Sequence, residues 1–147
     1  MLRGSITIIA FLSIILACSA NEKVTLEFRI AEEKSAADLT GILFEPTGET
    51  FYLHNEVLVN QYDVKSAAVV TQQGRAAVEL ILTSEGAIKF KELTAQNVGK
   101  RCAMVLNGKL LSAPVIRDTI SGGRAIISGI FTKAEAENIA KGLNEKN

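Results

Sequence analysis

Two amphipathic helical segments set among short strand-like runs narrow what this chain can fold into more than any other feature. Ala87, Phe90, Thr94 and Val98, with Leu93 beside them, recur at helical spacing. Thr83 or Ser84 caps that segment, and Asn97 and Gly99 end it. Nearer the C-terminus, Thr132 and Glu135 form a capping box before a stripe of Ala136, Ile139, Ala140 and Leu143. A helix with one apolar stripe must bury it against another element, and the other elements here read as strands. The fold class expected is α+β: a mainly antiparallel sheet with two helices packed on one face.

The strand reading rests on alternation and on turn chemistry. Val24 to Ile30 alternates apolar and charged side chains. Ala31 to Leu39 is a charged loop or weak helix. An apolar run from Gly41 to Glu45 ends at the turn Pro46-Thr47-Gly48. Phe51 to Asn60 is extended, with a bend at Asn55. Ser66 to Gln72 and Ala76 to Thr83 flank Gln73-Gly74 as a hairpin, with Val78, Leu80 and Leu82 on one face. Cys102 to Leu106 and Lys109 to Ala113 flank Asn107-Gly108, the pair best suited to a type I′ turn. Pro114 marks a strand end, and Arg124 to Ile130 is the last strand.

The first twenty residues carry a different message. A short basic start with Arg3 precedes an apolar run from Ser5 to Ala17. A transmembrane helix wants ~20 apolar residues, so this run is too short to span comfortably and reads as a secretory signal. Ile15-Leu16-Ala17-Cys18 resembles the bacterial lipobox, although Leu16 is bulkier than usual. The favoured division is a lipoprotein signal peptide over 1–17, lipidation at Cys18, a tether over 18–23 and one domain over 24–147. A cut after Ala20 and an uncleaved anchor are the alternatives. All three place the domain outside the cytoplasm.

Composition limits the chemistry. Sixteen basic and sixteen acidic side chains balance in 147 residues. Loss of Arg3 leaves the remainder slightly acidic, which argues against nucleic acid as a partner. Of the two cysteines, Cys18 is assigned to lipid, so Cys102 stands alone without a disulfide. Cys102 alternates with Met104 and Leu106 as a small core residue would. His54, the single histidine, reads as a surface loop residue. Gly122-Gly123-Arg124 opens a strand and so lacks the helix dipole that favours phosphate. No catalytic, cofactor or metal residues are assigned. The expectation is a binding protein rather than an enzyme.

From Asp63 onward the chain resembles the head subdomain of the large periplasmic domain of SecD, in the SecDF protein-export family. The resemblance is clearest over 63–143. It is carried by Asp63-Val64-Lys65 and Ala67, by Gly86-Ala87, Phe90 and Thr94, and by Asn97, Gly99 and Ala103. It continues through Leu106-Asn107-Gly108, where the family usually has Asp-Gly, and Ser112-Ala113-Pro114 with Ile116. Ile120, Gly123, Ala125, Ile127 and Gly129 follow, then Phe131-Thr132, Glu135 and Ala136. Most of these positions also have plain structural readings as turns, caps and core, so the match is a fold signature.

The resemblance implies contact with unfolded or secreted protein clients, and with Sec translocase subunits. SecD continues into membrane helices linked to proton-driven movement. The expectation for this chain is a tethered head without that motor. Three functions stay open: a membrane-tethered protein-binding module accessory to Sec-dependent export, a scaffold lipoprotein of another envelope complex, and an envelope enzyme built around His54 with Asp63. Strand addition at Lys109 to Ile116 or at Phe51 to Asn60 is the expected binding mode.

Overall fold

The computed structural model describes residues 23–145. The expected signal over 1–17, Cys18 and all of the tether but Lys23 lie outside the described residues. The strands are β1 (Leu26–Glu32), β2 (Thr40–Phe44), β3 (Glu49–Leu53), β4 (Val59–Asn60), β5 (Val64–Gln72), β6 (Arg75–Leu82), β7 (Arg101–Leu106), β8 (Lys109–Ser112) and β9 (Arg124–Ser128). The helices are α1 (Ser84–Gln96) and α2 (Lys133–Asn144), with a short 3-10 turn at Gln61–Asp63. The class is α+β, and every strand pairing is antiparallel.

The strands divide over two sheets. One runs β2-β3-β1-β7-β8, with β4 also on β1, and the other runs β5-β6-β9. Alternation explains how the first sheet serves two cores. Leu26, Phe28 and Ile30 of β1 and Cys102, Met104 and Leu106 of β7 enter a large core. Ala103 and Val105, on the opposite face, enter a smaller one with Phe51, Leu53 and Leu110. The sheet curls around that smaller core, so that β2 and β8 approach each other. Phe44 meets Phe51 edge-to-face at 6.2 Å, and Lys109 of β8 reaches Glu45, just past β2, at 2.6 Å.

The second sheet gives Val78, Leu80, Leu82, Ala125 and Ile127 to the large core. Both helices lay their stripes there too: Phe90 and Leu93 from α1, and Ala136, Ala140 and Leu143 from α2. Phe28 and Phe90 cross edge-to-face at 5.8 Å and lock α1 against the first sheet. The caps act as the sequence indicates. Thr83 Oγ1 accepts the Gly86 N–H, and Thr132 and Glu135 bond reciprocally. Asn107 (φ 49°) and Gly108 (φ 79°) both take the left-handed region that a type I′ turn requires.

Some boundaries differ from the sequence reading. β1 starts two residues late because Lys23 to Thr25 serve as an entry segment; the Thr25 N–H bonds to the Asn107 side chain. Ala31 to Leu39 holds no helix. Val98, given to the α1 stripe, lies beyond the helix end and is exposed. β9 stops at Ser128. No helix among the described residues is long and apolar enough to cross a membrane.

Candidate functional site

Sheet edges are where a protein of this shape can take a partner strand, and they differ in availability. β5 pairs only with β6, but its outer edge is already occupied at one point. The Asn144 side chain accepts the Ala67 N–H at 2.8 Å and donates to the Ala67 carbonyl at 2.9 Å, as a neighbouring strand would. Phe51 to Leu53 lies in β3 between β2 and β1, so that part of the expected Phe51 to Asn60 binding segment has no open edge. Within that segment, His54 and Leu58 donate their N–H groups to Ile30 and Phe28 of β1. The other expected segment is an edge. β8 pairs with β7 alone, and the pairing continues irregularly through Pro114 and Ile116.

Beyond β8 lie the end of β2, which the curl of the sheet brings near, and the end of β9, with an open groove between them. Two cavities share Leu111 and Ile130 and so form one trough, about 510 Å³ on the α2 side and about 700 Å³ on the β5–β6 hairpin side. Leu110, Leu111, Phe131 and Ile139 line the first part. Ser112, Gly129 and the hairpin residues Gln73 and Arg75 line the second. Ile130 is 75% exposed, a large apolar side chain held open to solvent at the junction. Ser112 Oγ is the one buried side-chain polar atom without a partner among the described residues.

Gly129 lets the loop after β9 approach β8. A Cβ there would stand 2.7 Å from the Phe131 ring and 3.6 Å from the Leu111 carbonyl. The α2 end of the trough is charged. Glu45 beside Lys109 holds the ammonium pKa above its ordinary value. Hydrogen bonds from Thr132 hold the Glu135 carboxyl below its ordinary range. Both groups are therefore ionised at neutral pH. An apolar floor on the α2 side, a polar floor toward the hairpin, an edge strand and charged rims suit an extended polypeptide, with backbone groups for the edge and side chains for the floor.

The residues weighed for catalysis do not come together. His54 Nε2 sits 3.1 Å from Glu32 Oε1 on an open part of the surface. Asp63 is buried elsewhere. It accepts from Lys89 Nζ at 2.8 Å and from the Asn60 N–H at 2.9 Å. Burial pushes the Cys102 thiol up to about 12, which makes it a poor nucleophile. The Gly123 carbonyl accepts the Leu82 N–H, so the Gly122-Gly123 turn is used within the fold. No cluster of His, Cys, Asp and Glu among the described residues is arranged to hold a metal. Cys18 lies outside the described residues.

Ile130 and Phe131 were missed as site residues, since the sequence reading placed Ile130 inside the last strand. A signal was available. Phe131 stands just before the Thr132 cap, where an apolar side chain folds back onto the helix, and Ile130 beside it is left exposed.

These features define an α+β head with two antiparallel sheets and a trough at their seam. The family model described as "SecDF, P1 head subdomain" matches residues 34–145. SecDF of Thermus thermophilus is 38% identical over 134 residues, covering 81% of this chain and 18% of that protein. SecD of Sebaldella termitidis is 37% identical over 117 residues, covering 76% of this chain and 28% of that protein. The chain thus spans less than a third of the length of these relatives. A solved structure described as "a membrane component SecDF that enhances protein export" superposes with a TM-score of 0.69 at 35% identity, over 84% of this chain and 63% of that one. SecDF in a super-membrane-facing form gives the same score and identity, over 19% of its length. The chain belongs to the SecDF P1 head family.

Proposed function

We propose that this chain is a non-catalytic, extracytoplasmic protein-binding module, accessory to Sec-dependent protein export, that takes extended client segments into the trough along β8. The trough carries the reading. It combines an edge strand, an apolar floor on the α2 side and the exposed Ile130, whereas the histidine, the cysteine and the buried aspartate stand apart. Relatives that are protein translocase subunits, and one described as enhancing export, supply the context. Acylation at Cys18 tethers the module to the outer side of a bacterial membrane, facing the periplasm or the exterior. Its partners are unfolded or secreted chains and Sec translocase subunits.

Photocrosslinking in cells tests this reading. A benzophenone side chain at position 130 is expected to capture secreted precursors and Sec subunits, and one at the exposed Ile88 on α1 is not. Capture of a single envelope protein in fixed stoichiometry at position 130 would replace the export reading with that of a scaffold for another envelope complex.

A further inference from the structure

One end of the molecule carries side chains that the trough does not use, and it is the end where the chain leads back toward Cys18. Val24 packs so closely on Gly142 of α2 that a Cβ there would run into its methyl group. The Thr25 N–H donates to the Asn107 side chain at 2.8 Å, and the Leu26 N–H to Gln61 Oε1 at 3.1 Å. These contacts fix the exit point of the chain. Lys23 holds its Nζ 5.1 Å from the centre of the Tyr62 ring, which is 54% exposed. The pair of hydrogen bonds between Asn144 and Ala67 brings the last turn of α2, with Lys141, beside the part of β5 that carries Lys65. Lys65 and Lys141 are both exposed. Lys65 has no ion pair among the described residues, and Lys141 has only a long one to Glu145 at 3.9 Å.

We propose that Lys23, Tyr62, Lys65 and Lys141 form a docking surface for anionic phospholipid headgroups, which seats the module on the bilayer. A tyrosine ring suits the boundary between polar and apolar layers. Each lysine near an anionic surface strengthens attachment about fivefold. The inference rests on the tether reading for its geometry. Five residues lead from Cys18 to Lys23, at most ~18 Å of extended chain. An acylated Cys18 therefore keeps this end within ~18 Å of the headgroups. The α2 side of the trough lies near this end, because Lys109 on its rim follows Asn107 by two residues. Docking would hold the trough alongside the membrane surface.

The chain contains no tryptophan, so Tyr62→Trp supplies a single indole. The full chain, purified from membranes and checked by mass spectrometry for an acyl group on Cys18, is placed in bilayers of phosphatidylcholine with and without phosphatidylglycerol. Brominated lipid is expected to quench that indole in the anionic bilayers. Quenching should weaken when Lys23, Lys65 and Lys141 are all changed to Gln. A Val115→Trp control, at the far end of β7 from Asn107, should stay unquenched. An acylated Tyr62→Trp protein whose emission brominated lipid leaves unchanged would overturn the proposal. If mass spectrometry finds Cys18 unmodified, the tether reading fails on its own. Flotation of that unacylated chain with anionic vesicles then decides the docking surface: co-flotation that the three Gln changes abolish supports it, and absence of co-flotation overturns it.

Discussion

Asp63 joins three elements through its carboxylate and its backbone carbonyl. It caps the turn after β4, pairs with Lys89 of α1, and its carbonyl accepts the Thr83 N–H ahead of that helix. Gly86 lies so close that a Cβ would run into the Asp63 carbonyl, so α1 can seat here only with glycine. Asp63→Ala removes the acceptor of the half-buried Asn60 N–H and the partner of the Lys89 ammonium, which solvent can still reach. The expected cost is about 1 kcal/mol in urea unfolding, from the lost hydrogen bond to Asn60, with the slope on denaturant unchanged; a loss within experimental error would contradict the account. Cys102 makes a second prediction at this scale. Burial raises its thiol from 9.0 in ordinary surroundings to about 12. The fold therefore favours the neutral form, and that contribution is intact below pH 9. As pH climbs from 9 toward 12, the unfolded chain ionises first and stability falls. Relative to Cys102→Ala, the native protein should lose stability progressively above pH 9 in paired urea titrations, and a constant difference would contradict this. The alternation of Cys102 with Met104 and Leu106 made its core position legible. The Asp63–Lys89 pair was not legible, because 26 residues separate its members and nothing local marks either as buried.

At the scale of elements, local rules read well wherever both partners lie within a few residues. The Asn107-Gly108 turn, the Gln73-Gly74 turn and the Thr132–Glu135 capping box all form as the spacing indicates. Thr132→Ala should cost about 1 kcal/mol at neutral pH. The Glu135 half of the box has its own pH signature, because its carboxyl is held below the ordinary 4.5. Its contribution is present above that value and is lost as pH falls through the lower folded pKa. The gap in melting temperature between the native protein and Glu135→Gln should therefore close on acidification. A gap that persists at the lowest pH where the protein stays folded would contradict the assignment. Elements whose limits depend on distant partners were less legible. β1 is shifted by two residues because Asn107, far along the chain, takes up the Thr25 N–H. Val98 has the right spacing for the α1 stripe, yet the helix has ended before it. The plug that Asn144 places on β5 also joins distant residues and leaves no trace in either local segment.

For the whole molecule, period and turn chemistry were enough to give the class, with antiparallel strands and both helices feeding one core. The division into two sheets was not legible. It depends on β7 returning to pair with β1 across 70 to 80 residues, while β9 returns to β6. The trough depends on that division: it is the seam where β8 and the end of β2, in one sheet, face the end of β9 of the other. The sequence reading therefore found the edge at Lys109 to Ile116 but could not find its floor, to which Phe131 and Ile139 contribute from a different part of the chain. The central claim is that this seam takes an extended polypeptide. The most direct test is an NMR titration of the isotope-labelled chain with an unfolded secretory polypeptide, following backbone amides. The account predicts shifts concentrated at Leu111, Ser112, Gly129 and Ile130 that Ile130→Asp abolishes. Unchanged amides along β8 and the loop after β9, with the shifts gathered on β2 or α1 instead, would contradict it.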